Sequence, residues 1–248
     1  MESSRNTRFM RYIEGEFIES PEVIVSESFL ELWLDDMQLT KFTCSPGHEE
    51  QLGIGHLMTS GLISRMEEIE IVSCESNQLI FTSKKKADLV RRFLQLQTGD
   101  SAFPYHLESI EDLSIQVSDL RQLVKELLSN QGLHDRTGGA HGALIYDIDT
   151  DRHFIVEDVG RFNAVDKAVG LAMQKGFDLG RSLLLVTGRL TSEMVSKAVR
   201  TRIPVMGSLA IATDMGIHLA MNAHVTLLGR LKDSNFWLYN QGHVKMLT

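Results

Sequence analysis

Three features of this 248-residue chain predict an α/β fold with a smaller, mostly β N-terminal subdomain. The second half alternates helical and strand patterns in the order α-β-β-α-β-α-β-α-β, which calls for a sheet covered by helices on both faces. Within it, Leu183 to Val186 is a continuous apolar run, as expected of a strand buried on both sides. The first half instead shows short alternating runs: Leu30, Leu32 and Leu34 interleave with Glu31, Trp33 and Asp35. The pattern changes within Thr98 to Asp112, where Gly99 and Pro104 punctuate the chain. Residues 1–112 are therefore expected as one subdomain and 113–248 as the other.

In the first subdomain Asp35-Asp36 offers a turn, and Leu39 to Thr43 returns as hairpin partner. Ser45 is expected to cap a helix, with Pro46 at its first position, Glu49-Glu50 at the positive end of the dipole and Gly61 closing it. Glu70 to Ser73 and Leu79 to Ser83 form a strand pair about Glu75-Ser76-Asn77. Leu89, Val90, Phe93 and Leu94 have helical spacing.

In the second subdomain Leu120, Leu123, Val124, Leu127 and Leu128 follow helical spacing, started by Ser118 and stopped near Gly132. Thr137 to Gly142 is a small-residue loop, followed by strands Ala143 to Ile148 and His153 to Val156. Asn163 is expected to cap the next helix, with Asp166 three residues on and Val165, Ala168, Val169, Ala172 and Met173 buried. After Leu183 to Val186 comes a helix from about Ser192, with Met194, Val195, Ala198 and Val199 inward. Pro204 to Gly207 is a short strand, Thr213-Asp214 starts a helix, and Val225 to Gly229 is a further strand.

A net charge of −8 argues against general nucleic-acid or anionic-membrane binding. No apolar run reaches the roughly 20 residues that a membrane span needs, and the N-terminus has no secretory h-region. A cytoplasmic location is expected. Two cysteines, Cys44 and Cys74, are too few for a disulfide framework and too distant for a C-x-x-C site. Each reads first as core packing, having no cationic neighbour in sequence to lower its pKa. His48-Glu49-Glu50 resembles the H-x-E of zinc deaminases, but no P-C-x-x-C follows to complete the ligand set. No zinc site is expected.

The segment Val156 to Gly170 carries the most chemistry. A strand end, a glycine turn and a helix start bring together Glu157, Asp158, Gly160, Arg161, Asn163 and Lys167. Such a junction offers free backbone N–H groups and positive charge, suited to an anionic ligand. Thr187-Gly188-Arg189 forms a second junction, with Lys197 one helix turn or so beyond it. Ligands of open α/β sheets collect at these strand ends. Arginine suits phosphate through its bidentate fork. Taken singly, each cation also reads as a solvated surface charge, and His141 as a structural histidine.

Four segments, T-G-G-A-H-G-A-L, E-D-V-G-R-F-N-A-V-D-K-A-V-G, T-G-R-L-T-S-E-M-V-S-K-A and I-P-V-M-G-S, stand in this order and spacing. Together they resemble the FdhD/NarQ family of formate dehydrogenase accessory proteins. Ser45-Pro46, Leu52 to Leu57 and Ser60 to Ile63 agree more loosely. The resemblance implies a cytidine-deaminase-like three-layer core without the deaminase zinc. It implies sulfur carriage from a cysteine desulfurase to the bis(molybdopterin guanine dinucleotide) molybdenum cofactor of a formate dehydrogenase, as a persulfide on a C-x-x-C-type loop. It also implies a homodimer, with GDP as a ligand analogue. Asp158 or Glu157 would then accept from guanine, and His141, Arg161, Lys167, Arg189 and Lys197 would face phosphate. Arg230, Leu231, Lys232, Asp233, Ser234 and Asn235 match in position a segment that the family uses against the cofactor.

The chain departs from the family where the chemistry lies. The cysteine loop corresponds to Thr98-Gly99-Asp100-Ser101-Ala102-Phe103-Pro104, so Asp100 and Phe103 stand in place of the two cysteines. Neither a carboxylate nor a phenyl ring can form a persulfide. Phe162 replaces the usual histidine of G-R-H-N, and Ser60 the usual glutamate. Two readings follow: a sulfurtransferase-like carrier that uses Cys44 or Cys74, or a non-catalytic cofactor-binding chaperone without sulfur transfer. A zinc deaminase on the same fold is disfavoured by the incomplete ligand set.

Overall fold

The computed structural model describes residues 2–75, 77–84, 86–98, 113–232 and 235–248. The chain begins with a long antiparallel ribbon, β1 (Ser4–Ile13) and β2 (Glu16–Val25). A four-stranded sheet follows from β3 (Ser28–Leu34), β4 (Met37–Cys44), β5 (Ile69–Glu75) and β6 (Gln78–Ser83), in the order β4-β3-β6-β5. Helix α1 (Glu49–Thr59) lies between β4 and β5, and α2 (Lys86–Thr98) follows β6.

The second half is a six-stranded mixed sheet in the order β13-β12-β11-β10-β8-β9. Its strands are β8 (His141–Asp147), β9 (Arg152–Asp158), β10 (Ser182–Val186), β11 (Val205–Ser208), β12 (Thr226–Gly229) and β13 (Trp237–Asn240). β10, β11 and β12 run parallel, while β8 runs against both β9 and β10. A small pair, β7 (Ser114–Gln116) with β14 (Lys245–Leu247), ties in the C-terminal end.

Helices cover both faces of this sheet. On one face α3 (Val117–Ser129) packs Leu120, Leu123, Val124 and Leu127 against Leu144, Leu183, Leu185 and Val205. On the other, α5 (Arg161–Gln174), α6 (Ser192–Arg200) and α7 (Asp214–Ala223) pack against Ala143, Ile145, Leu184 and Val186. The apolar run Leu183 to Val186 is buried on both sides, as its composition predicts.

The second core continues through α5 and α1 to Leu30, Leu32 and Phe81 of the four-stranded sheet, so the two sheets share one interior. The α1–α5 contact is backbone against backbone. A Cβ on Gly55 would lie 1.7 Å from the Asp166 carbonyl oxygen, and one on Gly170 2.0 Å from that of Gln51. Only glycine permits this approach.

Several expected caps are corrected. Ser45 does not cap α1. Gly47 (φ +99°) and His48 (φ +61°) turn the chain between them, and the helix starts at Glu49 without a side-chain cap. Asn163 lies inside α5, whose N-cap is Gly160. Gln116, not Ser118, precedes α3. Part of the expected loop Thr137 to Gly142 is structured: α4 (Gly132–Thr137) ends at Thr137, and His141 already belongs to β8. Thr191 and Thr213 cap α6 and α7 through bonds from Met194 N and Gly216 N.

Candidate functional site

The register lines up five strand ends along one edge of the six-stranded sheet. Asp158 at the end of β9 faces His141 at the start of β8, and Val186 at the end of β10 pairs with Ser208 at the end of β11. Gly207 pairs with Leu228, so β12 ends beside them, and Arg230 N donates to Ala210 O at 2.7 Å. This carboxyl edge is where a mixed α/β sheet exposes the starts of its helices. His141, Gly160, Arg161, Gly188, Arg189 and Arg230 are all brought to it.

Asp158 holds the edge together. Its side chain is fully buried and accepts four hydrogen bonds. Oδ2 takes Lys167 Nζ at 2.7 Å and Ser45 N at 3.0 Å; Oδ1 takes Gly160 N at 2.8 Å and Asn163 Nδ2 at 3.0 Å. Four is the full acceptor capacity of a carboxylate. All of its acceptor sites are therefore filled from within the chain. Lys167, expected to face phosphate, is equally buried and gives a second bond to Ser45 O at 2.8 Å. Ser45 completes the clasp: its Oγ accepts from Val159 N at 3.0 Å.

Glu157 is also committed. Its two oxygens accept from Leu133 N at 2.8 Å and His134 N at 2.7 Å, closing the free N-terminus of α4. Asn163 gives a further bond to Thr43 O at 2.8 Å. Gly160 is where Asn163 comes close, since a Cβ there would lie 2.7 Å from Asn163 Nδ2. These residues build the turn and leave its outer surface to others.

Arg161 is the cation left facing that surface. Its guanidinium lies over the Phe162 ring at 4.7 Å, and its stem passes over Gly188, where a Cβ would meet it at 3.2 Å. Its Nε is buried and has no hydrogen-bond partner. An unpaired buried donor costs about 1–3 kcal/mol, so an acceptor at this point would gain that much back. Arg161 makes no ion pair among the described residues.

His141 is half-buried, and its Nδ1 lies 3.4 Å from Thr187 Oγ1. Burial first, then the charges of Arg161 and His134, push its pKa below the ordinary histidine value. It stands beside Arg161 as a neutral hydrogen-bonding ring. Arg189 is exposed, and Gly188 O accepts from Ser208 Oγ at 2.6 Å. Arg230 has φ +53° and sits 5.9 Å over the Trp237 ring.

Other expected site residues lie elsewhere. Lys197 Nζ binds Asp166 Oδ1 at 2.6 Å and Thr59 Oγ1 at 3.1 Å, and is largely buried. His56 Nδ1 approaches the same carboxylate at 3.4 Å. This is a charge cluster between α1, α5 and α6, and Lys197 is engaged inside it. Leu231 is a core residue, its amide bonded to Ser208 O at 3.0 Å. Lys232 and Asn235 are exposed and joined by a bond from Lys232 N to Asn235 O at 3.0 Å. Asp100, Phe103, Asp233 and Ser234 lie outside the described residues.

Neither thiol is activated. Cys44 is fully buried, its Sγ 3.6 Å from Ser28 Oγ, and burial pushes its pKa up. Cys74 is exposed and borders a cavity of about 300 Å³ with Pro46, Glu49 and Asn77. Partial burial and the charges of Glu49 and Glu50 push its pKa up as well. A carrier or nucleophilic cysteine needs the opposite shift.

Comparison with known proteins agrees with this architecture. The chain is 27% identical to the sulfur carrier protein FdhD of Mycolicibacterium paratuberculosis, over 97% of this chain and 98% of the relative. It is 27% identical to the sulfur carrier protein FdhD of Sulfolobus acidocaldarius, over 95% and 96%. A crystal structure from Desulfotalea psychrophila, described as a formate dehydrogenase accessory protein, superposes with a TM-score of 0.79 at 25% identity, covering 96% of each chain. The FdhD/NarQ family profile matches residues 25–245, and with nearly the whole chain matched the protein belongs to that family.

Proposed function

We propose that this chain serves a formate dehydrogenase by holding the molybdenum cofactor through a guanine nucleotide end, at the carboxyl edge of the six-stranded sheet. The observation that carries this reading is Arg161, whose buried Nε has no partner while its stem is clamped over Gly188. An anion placed there satisfies the orphaned donor. The N-terminus of α5 favours the same charge. The residues that would hold the nucleotide are Arg161 and His141 at the turn, with Arg189 and Arg230 toward the neighbouring strands. When bound, the cofactor supplies the molybdenum centre that the client enzyme requires. The strand order β9-β8-β10-β11-β12, with β8 reversed, is the basis for reading the core as cytidine-deaminase-like.

The same geometry favours binding without sulfur transfer. The chain's two cysteines, Cys44 and Cys74, both have raised pKa values, which leaves little thiolate at neutral pH. Sulfur carriage, the activity in its relatives' names, stays as a second reading because Cys74 is exposed beside a cavity. Calorimetric titration with GDP, with ADP as control, tests the first reading. Selective GDP binding that Arg161→Ala weakens supports it, and no GDP binding by the folded chain refutes it. Incubation with a cysteine desulfurase and labelled cysteine tests the second: reductant-releasable label on Cys74 would establish carriage, and its absence would leave the binding reading alone.

A further inference from the structure

One phenyl ring, that of Phe162, carries two cations. The Arg161 guanidinium lies over it at 4.7 Å and Lys197 Nζ at 5.7 Å. The two cations are otherwise unlike. Lys197 is committed to Asp166 Oδ1 at 2.6 Å and Thr59 Oγ1 at 3.1 Å. Arg161 makes no ion pair among the described residues, and its buried Nε has no acceptor. A guanidinium in that state gains by turning out to water. Two contacts oppose the turn. Gly188 leaves room for the stem, since a Cβ there would lie 3.2 Å from Arg161 Cβ and 3.3 Å from its Cδ. The Phe162 ring holds the head, through a cation–π contact that strengthens as water is excluded. The ring is itself fixed, because it belongs to the first turn of α5 and packs half-buried against the core that the two sheets share.

We infer that Phe162 is a positioning residue for the anion site, holding Arg161 at the carboxyl edge with its hydrogen-bonding fork unspent. The inference rests on the reading of that edge as a nucleotide site. A phenyl ring has no donor, so Phe162 makes no bond to a phosphate and its whole effect passes through Arg161. The histidine usual at this place in G-R-H-N has a donor of its own; here the ring acts only on its neighbour. What it supplies is preorganisation. An arginine side chain has much rotational freedom, and freezing it when a ligand arrives weakens binding. Stacked on Phe162 and seated over Gly188, Arg161 has lost much of that freedom before the anion comes. Leucine would fill the same space without a negative face, and so would not hold the cation.

The test is a double-mutant cycle on GDP affinity, by calorimetric titration of the full-length chain. Phe162→Leu should raise the GDP dissociation constant roughly 3- to 30-fold, while Phe162→Tyr, which keeps the ring, should stay within about twofold of wild type. In an Arg161→Ala background Phe162→Leu should have no further effect, because its contribution runs through the arginine. A merely structural loss would lower affinity in both backgrounds. The position of Arg161 is read separately, without ligand, from its Nε–H resonance. Ring current should displace that signal in the wild type and in Phe162→Tyr, and the displacement should vanish in Phe162→Leu. A wild type that shows the displaced signal but binds no GDP would refute the nucleotide reading and still support the positioning of Arg161. An undisplaced wild-type signal, wild-type GDP affinity in Phe162→Leu, or an equal loss in the Arg161→Ala background would each overturn the inference.

Discussion

Lys167 Nζ lies 2.7 Å from Asp158 Oδ2, with 1% and 0% of the two side chains open to solvent. The pair fastens three parts of the chain. Asp158 ends β9, Lys167 rises from α5, and both bond the backbone of Ser45 just after β4. Pairing makes the burial tolerable, since an unpartnered buried charge is costly. Asp158→Ala leaves Lys167 without its counter-charge and should destabilise the protein by about 3–5 kcal/mol. Asp158→Leu combined with Lys167→Met should recover much of that loss. Urea unfolding of the three proteins checks both statements, and a single variant within about 1 kcal/mol of wild type would contradict the clasp.

Arg161 should behave differently, because its Nε is unpaired. Arg161→Ala removes an unsatisfied donor, so its unfolding midpoint should change little. Its GDP dissociation constant should rise by roughly 10- to 100-fold, the scale of a charge-assisted phosphate contact. Arg161→Lys keeps the charge without the planar fork and should recover only part of the affinity. An Arg161→Ala protein that binds GDP as the wild type does would remove Arg161 from the site.

The two strand-to-helix turns at the carboxyl edge of the sheet were legible in the sequence because they depend on local pattern. Glycine turns followed by helical periodicity sit at Gly160 and Gly188, and both fall where expected. The division of labour among the charged residues was not legible. Asp158 and Lys167 look like ligand groups until Ser45, 113 residues earlier than Asp158, is seen between them. Glu157 closes α4 from 24 residues beyond Leu133, so no local signal marks that helix. The ribbon was missed for another reason. Both of its faces carry exposed apolar and charged residues, so β1 reads R-N-T-R-F-M-R-Y-I with no period of two.

The thiols make a direct chemical test. At neutral pH both should alkylate far more slowly than free cysteine, because burial raises Cys44, and burial with Glu49 and Glu50 raises Cys74. Cys74, being exposed, should react first as pH rises past the ordinary thiol range; Cys44 should wait for unfolding. The Glu49→Gln/Glu50→Gln protein should label faster at Cys74 at a given pH. Rapid labelling of either thiol at pH 7 would reverse the assignment and revive the carrier reading.

Asp166 should contribute to the acid limit of stability. Burial alone would push its carboxyl up, but the Lys197 ammonium at 2.6 Å and the His56 contact bring it below the ordinary aspartate value. A carboxyl lowered in the folded state adds stability above its unfolded value, and that stability is lost as pH falls through the folded one. Lys197→Met removes the largest favourable charge, so the Asp166 carboxyl rises and the same loss begins at higher pH. The midpoint of acid unfolding should move up on the order of one pH unit, with a further rise when His56→Phe removes a second partner. Lys197→Arg, which keeps the charge, should hold the midpoint near wild type. Circular dichroism across an acid titration reads all three. An acid midpoint unmoved by Lys197→Met would mean that Thr59, at 2.6 Å from the same oxygen, is enough to hold the carboxylate in its charged form.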